Sequence, residues 1–149
     1  MTDLRNGASV SLRDVGIGIS QVLPILVEAY AHQNQIQLIE QPEIHLHPRL
    51  QAELGDLFIE SALGERKNTF LLETHSEHLI LRILRRVRET TEGTLPKGAI
   101  PVLPENVSVV IVETTANGSV IRELPVTPDG DFSKPWPGGF FPERFQELP

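Results

Sequence analysis

The sequence predicts an α/β fold in which a parallel-sheet core is followed by a β-hairpin and a turn-rich tail. Two short apolar strands, residues 35–40 and 68–74, are separated by a stretch with helical periodicity. Two strands joined through a helix of this length pair in parallel by a right-handed crossover. Further along the chain, two β-rich stretches flank Asn117-Gly118, a dipeptide typical of hairpin turns.

The first predicted elements are a turn, a helix and a strand. Residues 15–21 form a glycine-containing turn that leads into an apolar helix over about residues 21–33. Ser20 is a suitable N-cap for this helix, and Pro24 is tolerated near its first turn. The imperfect alternation of residues 35–40 is typical of a buried parallel strand.

Two further helices are predicted on either side of the second strand. Pro48 suits the first position of a helix, and Gly64 is a natural stop after Leu63. Ser76 can cap a third helix over about residues 77–89. The predicted buried faces, at helical spacing, are Leu50, Leu54, Leu57 and Phe58 in the second helix, and Leu79, Ile80, Ile83, Leu84 and Val87 in the third.

The second half of the chain changes in composition. Most of the 12 prolines follow Leu95, and residues 90–105 read as a linker. Strands are predicted over residues 106–115 and 119–126, followed by a turn-rich stretch with scattered aromatics to the end of the chain. The expected domains are therefore residues 1–93 and residues 94–149.

The net charge, the cysteine content and the apolar runs of the sequence exclude several classes of protein and of binding site. The net charge of −7 argues against an overall basic nucleic-acid-binding surface, although a local patch stays open. The absence of cysteine excludes disulfides and thiolate metal sites. No apolar run approaches a membrane span of about 20 residues, and the first residues lack the apolar core of a signal peptide. We therefore expect a cytoplasmic protein without a membrane partner.

The stretch that follows the first strand carries the strongest candidate chemistry. Ligands on parallel sheets bind at the carboxyl ends of the strands, and Glu40 closes the apolar strand. Such a carboxylate can position Mg²⁺, which prefers oxygen ligands and keeps several waters. Gln41 does not titrate but can orient a water, whereas Glu43 is a candidate base or second water-mediated ligand. The alternative is an acidic loop at the start of the next helix.

A second candidate follows the other strand, where His75 and Ser76 form a turn. A histidine in this position can donate a hydrogen bond to a phosphate and sense a γ-phosphate. The alternative is an ordinary surface histidine. The third candidate is the stretch containing Gly16, Gly18, Ser20 and Gln21, whose backbone N–H groups could meet an anion. Here the alternative is a simple helix cap after a flexible turn.

Two further clusters have competing interpretations. His45 and His47, with Glu40 and Glu43 close by, could ligate Zn²⁺ or Mn²⁺ in a metal-dependent hydrolase or nuclease. Pro48 instead favours His47 as a helix N-cap. Four arginines of the third helix could bind nucleic-acid phosphates, but a solvated helix face explains them better: Arg82, Arg85, Arg86 and Arg88.

In combination, these motifs resemble a known family. The order is a glycine-serine turn before a helix, then L-I-E-Q-P-E-I-H-L-H-P, then L-L-E-T-H-S. It is similar to ABC/SMC-type ATPases of the AAA_21-like group, relatives of the overcoming-lysogenization-defect and RecF-type proteins. The resemblance covers roughly residues 14–89. Residues 136–141 also resemble a small C-terminal domain of unknown function that follows such ATPase domains.

The resemblance implies a role for each motif residue. Glu40 takes the place of the Walker B acid that supports Mg²⁺, and Gln41 stands where many relatives have the catalytic glutamate. This departure puts fast hydrolysis in question or shifts the role to Glu43. His75 matches the switch histidine near the γ-phosphate. His45 and His47 fall in the D-loop, and Gly16, Gly18, Ser20 and Gln21 resemble the signature stretch that contacts the nucleotide of the other protomer.

The largest departure from the family is the phosphate-binding loop. No G-x-x-x-x-G-K-[ST] occurs in the sequence. We therefore expect an incomplete P-loop NTPase lobe: a fragment, a truncated gene product or one half of a split ATPase. It would need an N-terminal half or a P-loop-bearing subunit to bind ATP and Mg²⁺ tightly, and the complete form would be a homodimer. A non-enzymatic interaction module is the third interpretation.

Overall fold

The computed structural model describes Gly7, Ser9, Ser11 and residues 16–136. It forms two compact units, Met1–Arg82 and Ile83–Pro149. Most of the predicted irregular N-terminus and the tail from residue 137 lie outside the described residues. The elements in chain order are α1 (Ile17–Ala31), β1 (Ile36–Glu40), α2 (Pro48–Leu63), β2 (Thr69–Glu73), α3 (Glu77–Glu92), a 3-10 turn (Pro104–Asn106), β3 (Val109–Thr115) and β4 (Gly118–Leu124).

The predicted α/β architecture is confirmed at the level of its sheets. Strands β1 and β2 pair in parallel, in a register that runs from Ile36 opposite Thr69 to Glu40 opposite Glu73. Strands β3 and β4 form a separate antiparallel pair. One face of the parallel sheet is open, with Ile36, Leu38 and Leu71 each more than 60% exposed.

Helix α2 supplies most of the core of the first unit. It begins at Pro48 and ends at Leu63 as predicted, with Gly64 at its C-cap. Its buried face contains Leu54, Leu57 and Phe58. The Phe58 ring packs on Phe70 of β2 with centroids 4.9 Å apart. Leu50 differs from the prediction, because it stays 44% exposed in the first turn of the helix.

A buried asparagine joins two helices and two strands at the amino end of the sheet. The Asn68 amide nitrogen donates to the carbonyl oxygen of His32 at 3.0 Å and to Ser61 Oγ at 3.0 Å. Its Oδ1 accepts from the backbone N–H of Gln35 at 3.0 Å. Ser61 Oγ in turn donates to the carbonyl oxygen of Ala29 at 2.8 Å. These bonds connect the end of α1, the last turn of α2 and the start of both strands.

The remaining elements follow the predictions with shifted bounds. Helix α3 begins after Ser76 as predicted and continues to Glu92, where Gly93 has a φ of +69°. In the second unit, Leu84, Val87, Val102 and Leu124 are buried. The β3–β4 turn consists of Ala116 and Asn117, one residue earlier than the predicted dipeptide, and Gly118 begins β4 with a φ of +117° that explains the glycine. Strand β3 begins at Val109, later than predicted, and Asn106, the predicted first residue of the strand, instead ends the 3-10 turn.

Within the part of the chain that the structure describes, no helix is both long enough and apolar enough to cross a membrane.

Candidate functional site

The carboxyl ends of β1 and β2 lie side by side. Glu40 and Glu73 are the last residues of the two strands and are register partners. Both alternate with half-buried neighbours, so their side chains share the exposed face of the sheet. The two turns that leave this edge are called here the first turn, residues 41–47, and the second turn, residues 74–76. The structure therefore brings together the two polar clusters that the sequence placed at strand ends.

The first turn is a tightly folded reversal. The N–H of Ile44 donates to the carbonyl oxygen of Gln41 at 3.1 Å, and that of Leu46 to the carbonyl oxygen of Glu43 at 3.0 Å. Gln41 and His45 have positive φ values of 46° and 61°, a conformation that is uncommon for residues other than glycine. The N–H of Gln41 also donates to the carbonyl oxygen of Glu73 at 2.8 Å. This last bond extends the β1–β2 ladder into the turn.

Glu43 is the buried carboxylate of the site. Its residue is only 7% exposed, and its Oε1 accepts a hydrogen bond from the backbone N–H of His75 at 2.8 Å. Its Oε2 is buried and has no hydrogen-bond partner among the described residues. An ionised carboxylate at such a position is costly unless donors surround it. Glu43 thus faces the second turn rather than the exposed edge where Glu40 lies.

His75 combines a fixed backbone with an exposed side chain. Its imidazole is 76% exposed, and its Nε2 lies 4.0 Å from Glu73 Oε1. The neighbouring Ser76 is the predicted cap of α3, since its Oγ accepts from the N–H of Leu79 at 3.1 Å. The same Oγ donates to Gln51 Oε1 at 2.7 Å. The histidine can therefore meet a ligand while the surrounding chain stays in place.

The two histidines of the first turn do not form a metal centre with the carboxylates. His47 is the N-cap of α2, as its proline neighbour predicts, and its Nδ1 accepts from the N–H of Arg49 at 3.3 Å. His45 is exposed. Across the described residues, no three His, Asp or Glu side chains are grouped to hold a metal ion. The geometry thus does not support a metal-dependent hydrolase built on His45, His47, Glu40 and Glu43.

The glycine-serine stretch requires a correction. Helix α1 begins at Ile17, not at Gln21, so Gly18, Ser20 and Gln21 are helical and Ser20 is not the N-cap. The N-cap is Gly16, without a side-chain capping bond. Ile17 and Ile19 are 61% and 42% exposed, and the buried residue of this first turn is Gly18.

Gly18 has a packing role that explains its residue type. It is buried, and a Cβ added there would lie 2.6 Å from the carbonyl oxygen of His45. Only glycine allows the helix to approach the first turn this closely. The start of α1 and the first turn consequently form one continuous surface.

The arginines of α3 are largely engaged in ion pairs. Arg82 pairs with Asp56, and Arg85 and Arg86 each contact Glu89 at 2.6 Å. Burial raises the pKa of Glu89, but hydrogen bonds and charge from Arg86 and Arg85 outweigh it and hold the pKa below its ordinary value. These pairs favour the interpretation of a solvated helix face over a phosphate-binding patch.

Two residues of the site were not among the predicted site residues. Glu73 ends its strand as Glu40 ends the other, a symmetry that was readable in the sequence. Gln51 bridges the two turns, because its Nε2 donates to the carbonyl oxygen of Leu46 at 3.0 Å while its Oε1 accepts from Ser76. No sequence pattern distinguishes Gln51 from other polar residues of an amphipathic helix.

Comparison with known proteins gives one result. The family model described as AAA ATPase domain matches residues 2–80, more than half of the chain. No curated protein matches the chain, and no solved structure does.

Proposed function

The chain belongs to the AAA ATPase domain family, and we propose that it provides the Walker B, D-loop and switch part of an ABC/SMC-like ATP-hydrolysing site. The observation that carries the proposal is the pairing of Glu40 and Glu73 at the carboxyl edge of the parallel sheet, with the His75 imidazole beside Glu73. This edge is where parallel sheets bind ligands. A carboxylate pair with a histidine suits a magnesium–phosphate ligand.

The donor set fits Mg²⁺ better than a softer metal. Glu40 and Glu73 offer exposed carboxylate oxygens, and magnesium takes one or two carboxylates while it keeps several waters. When bound, Mg²⁺ would neutralise charge on the phosphates. We assign Glu40 as its water-mediated anchor. The cradle for the triphosphate itself is not in this sequence, which lacks G-x-x-x-x-G-K-[ST]. We propose that another segment or subunit supplies that loop.

The proton acceptor for hydrolysis is proposed to be Glu73. An attacking water forms a bond to the γ-phosphorus, the bond from that phosphorus to the β–γ bridging oxygen breaks, and the water proton needs a base. Gln41 cannot take a proton, and Glu43 is buried with one oxygen bound to His75 N–H. Glu73 is a carboxylate 59% exposed at the strand end. Gln41 would orient the water, and His75 would donate a hydrogen bond to the γ-phosphate.

We further propose that the complete ATPase acts as a head-to-tail dimer. The resemblance assigns both the stretch containing Gly18 and the D-loop containing His45 to the surface that faces the other protomer. The close approach of Gly18 to His45 supports this assignment, because it places both stretches on one surface.

The test is reconstitution with a P-loop-bearing segment and measurement of phosphate release. We expect Glu40→Ala and Glu73→Gln each to lower kcat by about 100-fold or more, the scale of a lost acid–base or charge-stabilising group. Glu53→Gln, an exposed carboxylate on α2, serves as the matched control and should leave kcat unchanged. Wild-type rates for Glu40→Ala would show that the role assigned to Glu40 is wrong.

A further inference from the structure

We infer that Glu43 is a positioning residue that, together with Gln51, joins the first turn to the second and so sets the place of His75. The catalytic meaning of this link rests on the proposed function, but the link itself is a property of the chain alone. Glu43 lies three residues after Glu40 in sequence yet contacts the turn that follows the neighbouring strand.

The first half of the link is a hydrogen bond between a side-chain carboxyl oxygen and a backbone donor. Glu43 Oε1 and the His75 nitrogen are 2.8 Å apart, and the residues are separated by 32 positions. The carboxylate is buried, so water competes little for this bond. The backbone of His75 is thereby tied to the first turn.

The second half of the link passes through Gln51. Its amide spans the gap between the turns, with Nε2 3.0 Å from the carbonyl oxygen of Leu46 and Oε1 2.7 Å from Ser76 Oγ. Ser76 also caps α3. The two halves hold consecutive residues, His75 and Ser76, to the same turn. A displacement of the first turn must therefore displace the histidine as well.

This arrangement connects the side of the first turn that contacts α1 with the second turn, which carries His75. His45 lies on the side of the first turn that touches Gly18 of α1, and Glu43 lies on the side that holds the second turn. Movement of the D-loop-like segment, such as contact with another protomer would cause, reaches the histidine through two hydrogen-bonded side chains. Glu43 is buried and its carboxylate contacts the second turn, which distinguishes it from an exposed catalytic base.

The experiment follows the His75 backbone amide by NMR in the ¹⁵N-labelled full chain. In Glu43→Ala we expect the His75 amide to exchange with solvent roughly 10- to 100-fold faster, the scale of a buried donor that loses its hydrogen-bond partner. Glu43→Gln retains a carbonyl acceptor and should restore most of the protection. Glu53→Ala on the surface of α2 should change nothing at His75. Unchanged exchange in a folded Glu43→Ala chain would overturn the inference.

A second measurement needs no variant and covers the case in which Glu43→Ala does not fold. A coupling across the hydrogen bond should be detectable between the His75 amide nitrogen and the Glu43 carboxyl carbon in the wild-type chain. Its absence contradicts the link.

In the reconstituted ATPase, Glu43→Gln should keep KM near wild type and lower kcat less than Glu43→Ala does. If the NMR results hold and Glu40→Ala retains full activity, the link stands and the proposed function fails.

Discussion

The two units of the chain are stabilised by side-chain hydrogen bonds of different range. In the first unit, Asn68, Glu43 and Ser76 bond to partners 25 to 39 positions away, and most of these contacts are buried or partly buried. In the second unit, Glu89 bonds to arginines three and four positions away. The hairpin turn is held by Thr115 Oγ1 and the carbonyl oxygen of Gly118, 2.7 Å apart and exposed.

The difference shows in which unit a conformational change in one turn can be transmitted to another turn. Hydrogen bonds between residues close in sequence stabilise a single helix or turn, but they do not connect one element to another. Buried hydrogen bonds between residues far apart in sequence connect one turn to another, so that a displacement of either turn also displaces the other. The candidate site lies in the first unit, where Glu43 and His75 are joined by such a long-range bond.

The largest expected effect is on the Asn68 network. Asn68→Ala removes partners of the Gln35 N–H and of the His32 carbonyl and should lower the free energy of unfolding by about 3 kcal/mol, because buried polar groups lose their bonds. Asn106→Ala is the matched control, since its Oδ1 accepts a local, exposed bond from Leu103 N–H. Urea unfolding followed by circular dichroism measures both. Equal losses would refute the contrast between long-range and local bonds.

A somewhat smaller effect is expected at the contact of α1 with the first turn. Gly18→Ala places a Cβ 2.6 Å from a backbone oxygen, so helix or turn must move. We expect a loss of about 2 kcal/mol and a change in the His75 amide resonance. Gly16→Ala meets open space and should cost less than about 1 kcal/mol as a capping effect. A silent His75 resonance in Gly18→Ala would show that the first turn does not transmit this strain.

In the second unit, the local ion pairs of Glu89 predict a dependence of stability on pH. The pKa of Glu89 is below its ordinary value of 4.5, so the folded state binds the proton less readily than the unfolded state. The stabilisation is complete above that ordinary value and is lost as pH falls through the folded-state pKa. When the free energy of unfolding is measured as the pH is lowered, Glu89→Gln should lack this contribution. The same change at the exposed Glu105 should leave the acid dependence as in wild type.

The smallest effect is expected in the hairpin. Arg122 forms a cross-strand ion pair with Glu113 but is 61% exposed. Arg122→Ala should therefore cost less than about 1 kcal/mol, as exposed ion pairs do. Urea unfolding measures the loss. A cost as large as that of Asn68→Ala would mean that the hairpin depends on tertiary contacts as the first unit does.

Much of the fold follows from local sequence signals. Pro48 and Gly64 delimit α2, Ser76 caps α3, and Asn117-Gly118 places the hairpin turn to within one residue, because each depends on backbone geometry that those residues favour by themselves. The start of α1 did not follow. Ser20 is a good N-cap in isolation, but the helix begins at Ile17, and the residue of its first turn that is buried is Gly18, which packs against a distant turn.

The sequence by itself determined the elements, their order and the strand-end position of Glu40 and His75, since hydrophobic period and capping chemistry act over a few residues. Only the tertiary structure decided which carboxylate faces which neighbour. It put Glu73 beside Glu40 through the strand register, and it buried Glu43 against the His75 N–H. Three glutamates that look alike in the sequence differ in role because burial and distant partners are set by packing, which no local pattern encodes.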